Sequence, residues 1–227
     1  TLISRGVPAK KISVVMNVAD GRIFRRAPAI RRSIANDDCF RLIYHGNLSK
    51  RYGINLAIRA VGLVRQHIPV RLTIHGSGPL LDELQELTAD MGLEGNIRFS
   101  TRLVPTQELA TLIQDADAGV VPYQRDAFTD GILPTKLMEY VALGIPVIAA
   151  RTSAITAYFD ETMVEFFSPG DVDDLAFHIL ALQADREKRE RLVCSSQQFL
   201  RRYSWSQISA DYVALVDRLA RRLAKQP

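Results

Sequence analysis

Short apolar runs alternate with helix-period segments along most of this chain, and that alternation narrows its possible folds. The runs FRLIYHG (40–46), VRLTIHG (70–76), IRFS (97–100), AGVVPY (118–123) and PVIAA (146–150) read as strands buried on both faces. Helical repeats separate them. One runs from Ile54 to about Gln66, with Ile54, Ile58, Val61 and Val64 in register; others run from Pro79 to about Met91 and from Pro105 to Asp115. EFF (165–167) is a last short strand, and helices follow over about 172–184, 186–201 and 206–223. This order predicts an α/β fold: a doubly wound, mostly parallel Rossmann-like sheet with right-handed crossovers and extra C-terminal helices. KISVVM (11–16) reads as one more strand, followed by a polar turn at Asn17 and Asp20 and an apolar plug at Phe24. The charged segment 25–38 reads as a surface loop or linker. The chain thus divides into a leading strand and linker, 1–38, and a Rossmann-like domain, 39–227.

A net charge of +4 and a pI near 9.2 are too mildly basic to indicate a nucleic-acid partner. Cys39 and Cys194 lie far apart without metal-ligand spacing and read as free thiols of a reducing, cytoplasmic compartment. No apolar run spans a bilayer. The basic end of the last helix, with Arg218, Arg221, Arg222 and Lys225, suits either the helix dipole or peripheral contact with acidic lipid at the cytoplasmic face.

Doubly wound sheets bind ligands at the carboxyl ends of their strands, so the loops after Tyr44, Ile74, Phe99, Val121 and Asp130 are the ones to inspect. The stretch DAFTDGILPTKLMEYVALGIPVIA (126–149) is the most informative. Leu137, Met138, Val141, Ala142 and Leu143 recur at helical spacing, Pro134 suits the first turn, and Gly144 stops the helix. Glu139 is a carboxylate inside this apolar helix, preceded by Thr129, Asp130, Gly131, Thr135 and Lys136. Helix amides, a lysine and an acid suit a phosphorylated, hydroxyl-rich ligand; they equally suit a solvated helix start. Lys50 and Arg51 either reach phosphate oxygens or decorate a helix entrance. His45 and His75 read as strand-end residues satisfied by backbone. Gly76 and Gly78 would let backbone approach a ligand closely. The GxG turn resembles a dinucleotide fingerprint, but Leu81 replaces its third Gly, and only Arg102 supports an NADP-dependent oxidoreductase. Asp171, Asp173 and Asp174 resemble a metal-binding DxD, though an N-cap with acids in the first turn explains them. Ser204 and Gln207 form a capping box for the last helix, which would bury Ile208, Tyr212, Leu215 and Leu219.

Together these segments resemble the C-terminal, donor-binding half of a GT-B-fold retaining glycosyltransferase, of the family 4 type among the glycosyl transferases group 1. KISVVMNVADGRIF is similar to the family's leading segment, LIYHGNLSKRYGINLAIRA to its first Gly turn, LTIHGSGP to its Gly-x-Gly-Pro turn, and IRFSTRLVPTQEL to the segment meeting the base. PTKLMEYVALGIPVIA resembles its most diagnostic stretch, and SWSQISADYVAL its closing helix.

The resemblance implies an enzyme that transfers a glycosyl group from a nucleoside diphosphate sugar, with retention, no cofactor and no metal. It implies that Arg51, Lys136 and Glu139 carry the chemistry: the two cations stabilise the departing diphosphate and Glu139 holds the donor ribose. It places Gly46, Asn47, Gly76, Gly78, Arg102, Leu103, Asp130, Gly131, Ile132, Leu133 and Thr135 around the donor. Four departures stand out. Gly131 occupies the position of a sugar-contacting Glu, with Asp130 adjacent as a substitute; Asn47 replaces a usual Arg; Arg51 stands for a usual Lys; and Pro134 removes an amide from the phosphate loop. These leave open a non-catalytic sugar-nucleotide-binding or scaffold module. The acceptor, a glycan, lipid or small molecule, is expected to be held by a further N-terminal domain preceding Thr1.

Overall fold

The computed structural model describes residues 2–25 and 39–223. Six strands form one sheet: β1 (Phe40–His45), β2 (Val70–His75), β3 (Ile97–Ser100), β4 (Ala118–Val121), β5 (Val147–Ala150) and β6 (Glu165–Phe167). Their order is β3-β2-β1-β4-β5-β6 and every pairing is parallel. The helices are α1 (Ile54–Val64), α2 (Leu81–Asp90), α3 (Thr106–Gln114), α4 (Thr135–Leu143), α5 (Ser153–Thr156), α6 (Val172–Ala184), α7 (Arg186–Arg202) and α8 (Trp205–Leu223).

Helices lie on both faces of the sheet: α1 packs on α2 and α6, while α4 packs on α3 and α7. The periodic apolar positions are the cause. Ile54, Ile58, Val61 and Val64 are fully buried, and each such side chain contributes about 1.5–3 kcal/mol relative to exposure. β4 and β5 are buried along their whole length, as central parallel strands require. From β1 the chain winds outward to β2 and β3; it then returns to β4 and winds the other way. The reversal opens a crevice above the carboxyl ends of β1 and β4, where ligands of such sheets sit.

The N-terminal segment departs from expectation. KISVVM forms no strand: Ala9–Lys11 is a 3-10 turn, the residues after it are irregular, and Val14 and Val15 are exposed. Alternating apolar character permits a strand, but a strand needs a neighbour, and this segment pairs with none of the six. Val18 and Phe24 are buried, so the apolar plug does form. The expected linker lies at 26–38, outside the described residues.

The last helix differs too. Ser204 Oγ accepts from Gln207 N–H at 3.2 Å, but the Gln207 side chain turns to Asp211 rather than closing a reciprocal box. Ile208 and Leu215 are half-buried, whereas Tyr212 and Leu219 are exposed and Ser13, Val14 and Val15 only line a cavity against that face. No helix among the described residues is long and apolar enough to cross a membrane.

Candidate functional site

The crevice at the sheet reversal is built around Lys136. α4 begins directly above it, and Pro134 sits at the N-cap rather than inside the first turn, with no side chain able to cap. Lys136, in the first turn, is only 8% exposed. Its ammonium lies 4.7 Å from the ring of Tyr44, 5.1 Å from Tyr52 and 5.1 Å from Tyr123, and donates to the Tyr123 hydroxyl at 3.3 Å. Those tyrosines end β1, follow it, and follow β4, so the cage closes over the reversal itself. Burial pushes the Lys136 ammonium down to about 8, against the attraction of Glu139. Ring faces compensate part of the lost hydration.

Gly46 completes this arrangement. A side chain there would place its Cβ 3.3 Å from the Lys136 Nζ, and φ is +121°, which side chains rarely adopt. A bare residue 46 therefore leaves the cation reachable from the crevice.

Glu139 projects from the next turn of α4 with 15% of its side chain exposed. Its Oε2 lies 2.6 Å from His45 Nε2 at the end of β1. His45 Nδ1 lies 2.9 Å from the Tyr140 hydroxyl. Burial lowers the His45 pKa, with Glu139 opposing, so the imidazole is neutral and donates Nε2–H to the carboxylate. Both histidines thus find side-chain partners where backbone was expected, His75 through Ser100 Oγ at 3.0 Å. Strand ends place polar side chains of neighbouring elements within reach, and those partners are distant in sequence.

Arg51 follows β1 in the 3-10 turn Lys50–Tyr52 and lies over the Phe128 ring at 4.5 Å. Its charge helps lower the Asp126 pKa, after hydrogen bonds from Thr129 and Phe128. Lys50 and Asn47 are exposed at the crevice rim. Thr135 Oγ1 meets Asn17 Nδ2 at 3.5 Å, tying the N-terminal segment to the start of α4. Ile132 and Leu133 are half-buried before that helix; Arg102 pairs with Glu108 at 2.8 Å, and Leu103 is 88% exposed.

Other polar residues are engaged structurally. Asp130 accepts from Ser153 N–H at 3.0 Å and Ser153 Oγ at 2.7 Å, and pairs with Arg125 at 3.0 Å. Its carboxylate thus braces the start of α5 instead of standing free beside Gly131. Asp171 accepts from Asp174 N–H at 3.0 Å, and Asp174 from Ser168 N–H at 2.6 Å, so the DxD look-alike is a helix cap. Among the described residues no group of three His, Cys, Asp or Glu side chains is assembled for a metal.

Gly76 and Gly78 have a packing role as well. A Cβ on Gly76 would fall 1.9 Å from the Gly46 carbonyl oxygen, and one on Gly78 would fall 2.4 Å from that of Leu48. These glycines let the two turns pack backbone to backbone, joined by Gly46 N–H to His75 O and Leu48 N–H to Ser77 O, both at 2.9 Å. Gly76→Ala is therefore expected to destabilise the chain by roughly 3 kcal/mol, lowering the melting temperature by about 6–12 °C. Gly131, with nothing within 4 Å of a built Cβ, is the control: Gly131→Ala melts with the parent. Calorimetry of the two variants checks the pair.

The profile of the family described as "Glycosyl transferases group 1" matches residues 27–199. The chain belongs to this family. Amylovoran biosynthesis glycosyltransferase AmsK of Erwinia amylovora is 28% identical over 185 residues, covering 80% of this chain and 44% of the relative. A GDP-mannose-dependent phosphatidylinositol monomannoside mannosyltransferase of Mycolicibacterium smegmatis is 29% identical over 187 residues, covering 79% of the chain and 47% of the relative. The chain spans about half the length of these relatives. Among solved structures, Anabaena HepE in complex with UDP and glucose aligns with TM-score 0.79 at 18% identity, covering 95% of this chain and 59% of that one. Sucrose-phosphate synthase from Thermosynechococcus elongatus aligns with TM-score 0.77 at 19% identity, covering 92% and 52%. At such identities the likeness establishes the GT-B-type Rossmann-like fold alone.

Proposed function

We propose that this chain is the donor-binding half of a family 4-like, nucleotide-sugar-dependent glycosyltransferase that transfers its sugar with retention and without a metal. One observation carries the reading: Lys136 and Glu139 meet at the sheet reversal, beside the uncapped amino end of α4. Cleaving a glycosyl–phosphate bond leaves a diphosphate while the anomeric carbon becomes cationic. Lys136, the α4 amides and Arg51 supply the positive field for that leaving group. Glu139 accepts hydrogen bonds from ribose hydroxyls, so the donor is positioned rather than attacked by protein. Arg102 and Leu103 sit beyond β3, where backbone would meet the base.

The relatives support a donor of this class. One is named for GDP-mannose, and the Anabaena structure holds UDP and glucose. An acceptor glycan or glycolipid, held by a further domain at a cytoplasmic membrane face, completes the reaction.

A thermal-shift comparison of UDP, GDP, ADP, NAD and NADP tests the donor site. UDP or GDP at a hundred times its Kd should stabilise the chain by about 2.7 kcal/mol, with NAD and NADP without effect. Stabilisation by NADP alone would move the chain to the oxidoreductase reading, which the packing of Gly76 and Gly78 against the 46–48 turn disfavours. A second reading, a non-catalytic sugar-nucleotide module, is favoured by the side-chain-free Gly131 and the engagement of Asp130. Sugar transfer by the whole protein that disappears on Arg51→Ala would exclude that module.

A further inference from the structure

We infer that His45 is a positioning residue for donor recognition: its Nε2–H fixes one oxygen of Glu139 so that the other is aimed at the ligand's ribose hydroxyls. This rests on the reading of Glu139 as the ribose-holding carboxylate. Glu139 Oε2 is held by His45 at 2.6 Å, while Oε1 has no partner among the described residues and is not sealed from solvent. A glutamate side chain in a helix has several rotamers, and an unanchored one would lose entropy on binding.

The ring is held from behind. The Tyr140 hydroxyl accepts from the His45 backbone N–H at 3.2 Å, lies 2.9 Å from Nδ1 and donates to the Ile43 carbonyl at 3.3 Å. An ionised carboxylate can only accept, so the imidazole carries its proton on Nε2, facing Glu139. Tyr140 reaches that place because residue 119 is glycine: a Cβ there would lie 2.4 Å from the tyrosine ring. Gly119 is the register partner of Ile43, the residue whose carbonyl meets the hydroxyl. One path therefore runs from β4 through Tyr140 and His45 to Glu139. The Lys136 charge further favours a neutral ring, and His75, its register partner in β2, has a pKa lowered by burial and by His45 and Arg102.

The test is calorimetric titration of the chain with UDP and with GDP, the tighter of the two then compared with its 2′,3′-dideoxy counterpart. Glu139→Ala should erase the preference for the ribose hydroxyls. His45→Phe should weaken the ribonucleotide about tenfold and leave the dideoxy ligand unchanged, since only a charge-assisted contact is loosened. His45→Gln, whose amide N–H falls near the Nε2 position, should return affinity to within about threefold of the parent. In a Glu139→Ala background, His45→Phe should add no further loss. Equal weakening of both ligands by His45→Phe, or losses that add with Glu139→Ala, would overturn the positioning role. An unchanged preference in Glu139→Ala alone would overturn the ribose reading, and this inference with it. Should His45→Phe not fold, Tyr140→Phe decides: it keeps the ring over Gly119, and a selective loss of ribonucleotide affinity is required of it.

Discussion

Lys136→Met is expected to weaken nucleoside diphosphate binding by about two orders of magnitude while leaving the melting temperature at or above that of the parent. Lys136 is nearly buried in its tyrosine cage, so its charge acts on a phosphate with little screening. The same burial opposes folding of the charged form. A fall from 10.5 to about 8 corresponds to roughly 3 kcal/mol against the ammonium, partly offset by the ring faces. Met fills the volume and makes favourable sulfur–aromatic contacts, so removing the charge does not leave a cavity. The sign with pH follows from the depressed folded value. Any penalty from Lys136 is absent above its unfolded value of 10.5 and complete once pH falls through about 8, so the parent gains stability between pH 8 and 10. Above pH 10 the buried hydroxyls of Tyr44, Tyr123 and Tyr140, whose pKa values burial raises, reverse the trend as the unfolded chain ionises. Melting curves at pH 7, 8, 9 and 10 with calorimetry at pH 7 check both halves. A variant that melts far below the parent, or that binds as well, refutes the assignment of Lys136 to the diphosphate.

The scaffold was largely legible in the sequence because its signals are local. EFF and the helix starting after Asp171 need only an apolar run and a capping acid, and both elements begin and end where the pattern says. The α4 core face and the buried β5 strand follow from spacing in the same way. Glu139 was also visible, as an acid inside an apolar helix. Its surroundings were not. Tyr44, Tyr52 and Tyr123 come from β1, the turn after it and the loop after β4, and each alone is indistinguishable from an ordinary aromatic near a strand end. Gly119 inside a buried strand was a usable hint of close approach, since a strand interior otherwise disfavours glycine. KISVVM misled because alternation reports compatibility with a strand, while pairing depends on a free sheet edge beside it. The exposed Tyr212 and Leu219 of α8 show the same limit: an amphipathic pattern says that a face seeks cover, not what covers it.

Glu139 is best probed with two substitutions, because removing it has two separable consequences. Glu139→Ala deletes the acceptor for ribose hydroxyls and also orphans the His45 Nε2–H, buried at the end of β1. The first loss should weaken ribonucleoside diphosphate binding by roughly 1.5–3 kcal/mol, or about 10–150-fold; the second should lower stability by about 1–3 kcal/mol. Glu139→Gln separates them. Its carbonyl oxygen still accepts from His45, so the melting temperature should stay near that of the parent. Its amide group, however, presents donors where the ligand's hydroxyls need an acceptor, and the negative charge beside Lys136 is gone. Both variants remove that charge and so free Lys136 to attract diphosphate more strongly, which confines the deficit of either to ligands bearing the hydroxyl pair. A dideoxy diphosphate should bind Glu139→Gln at least as well as the parent. If Gln and Ala lose the ribo and dideoxy ligands alike, Glu139 acts through the fold rather than through contact with the donor, and the cleft must recognise its ligand by phosphate alone.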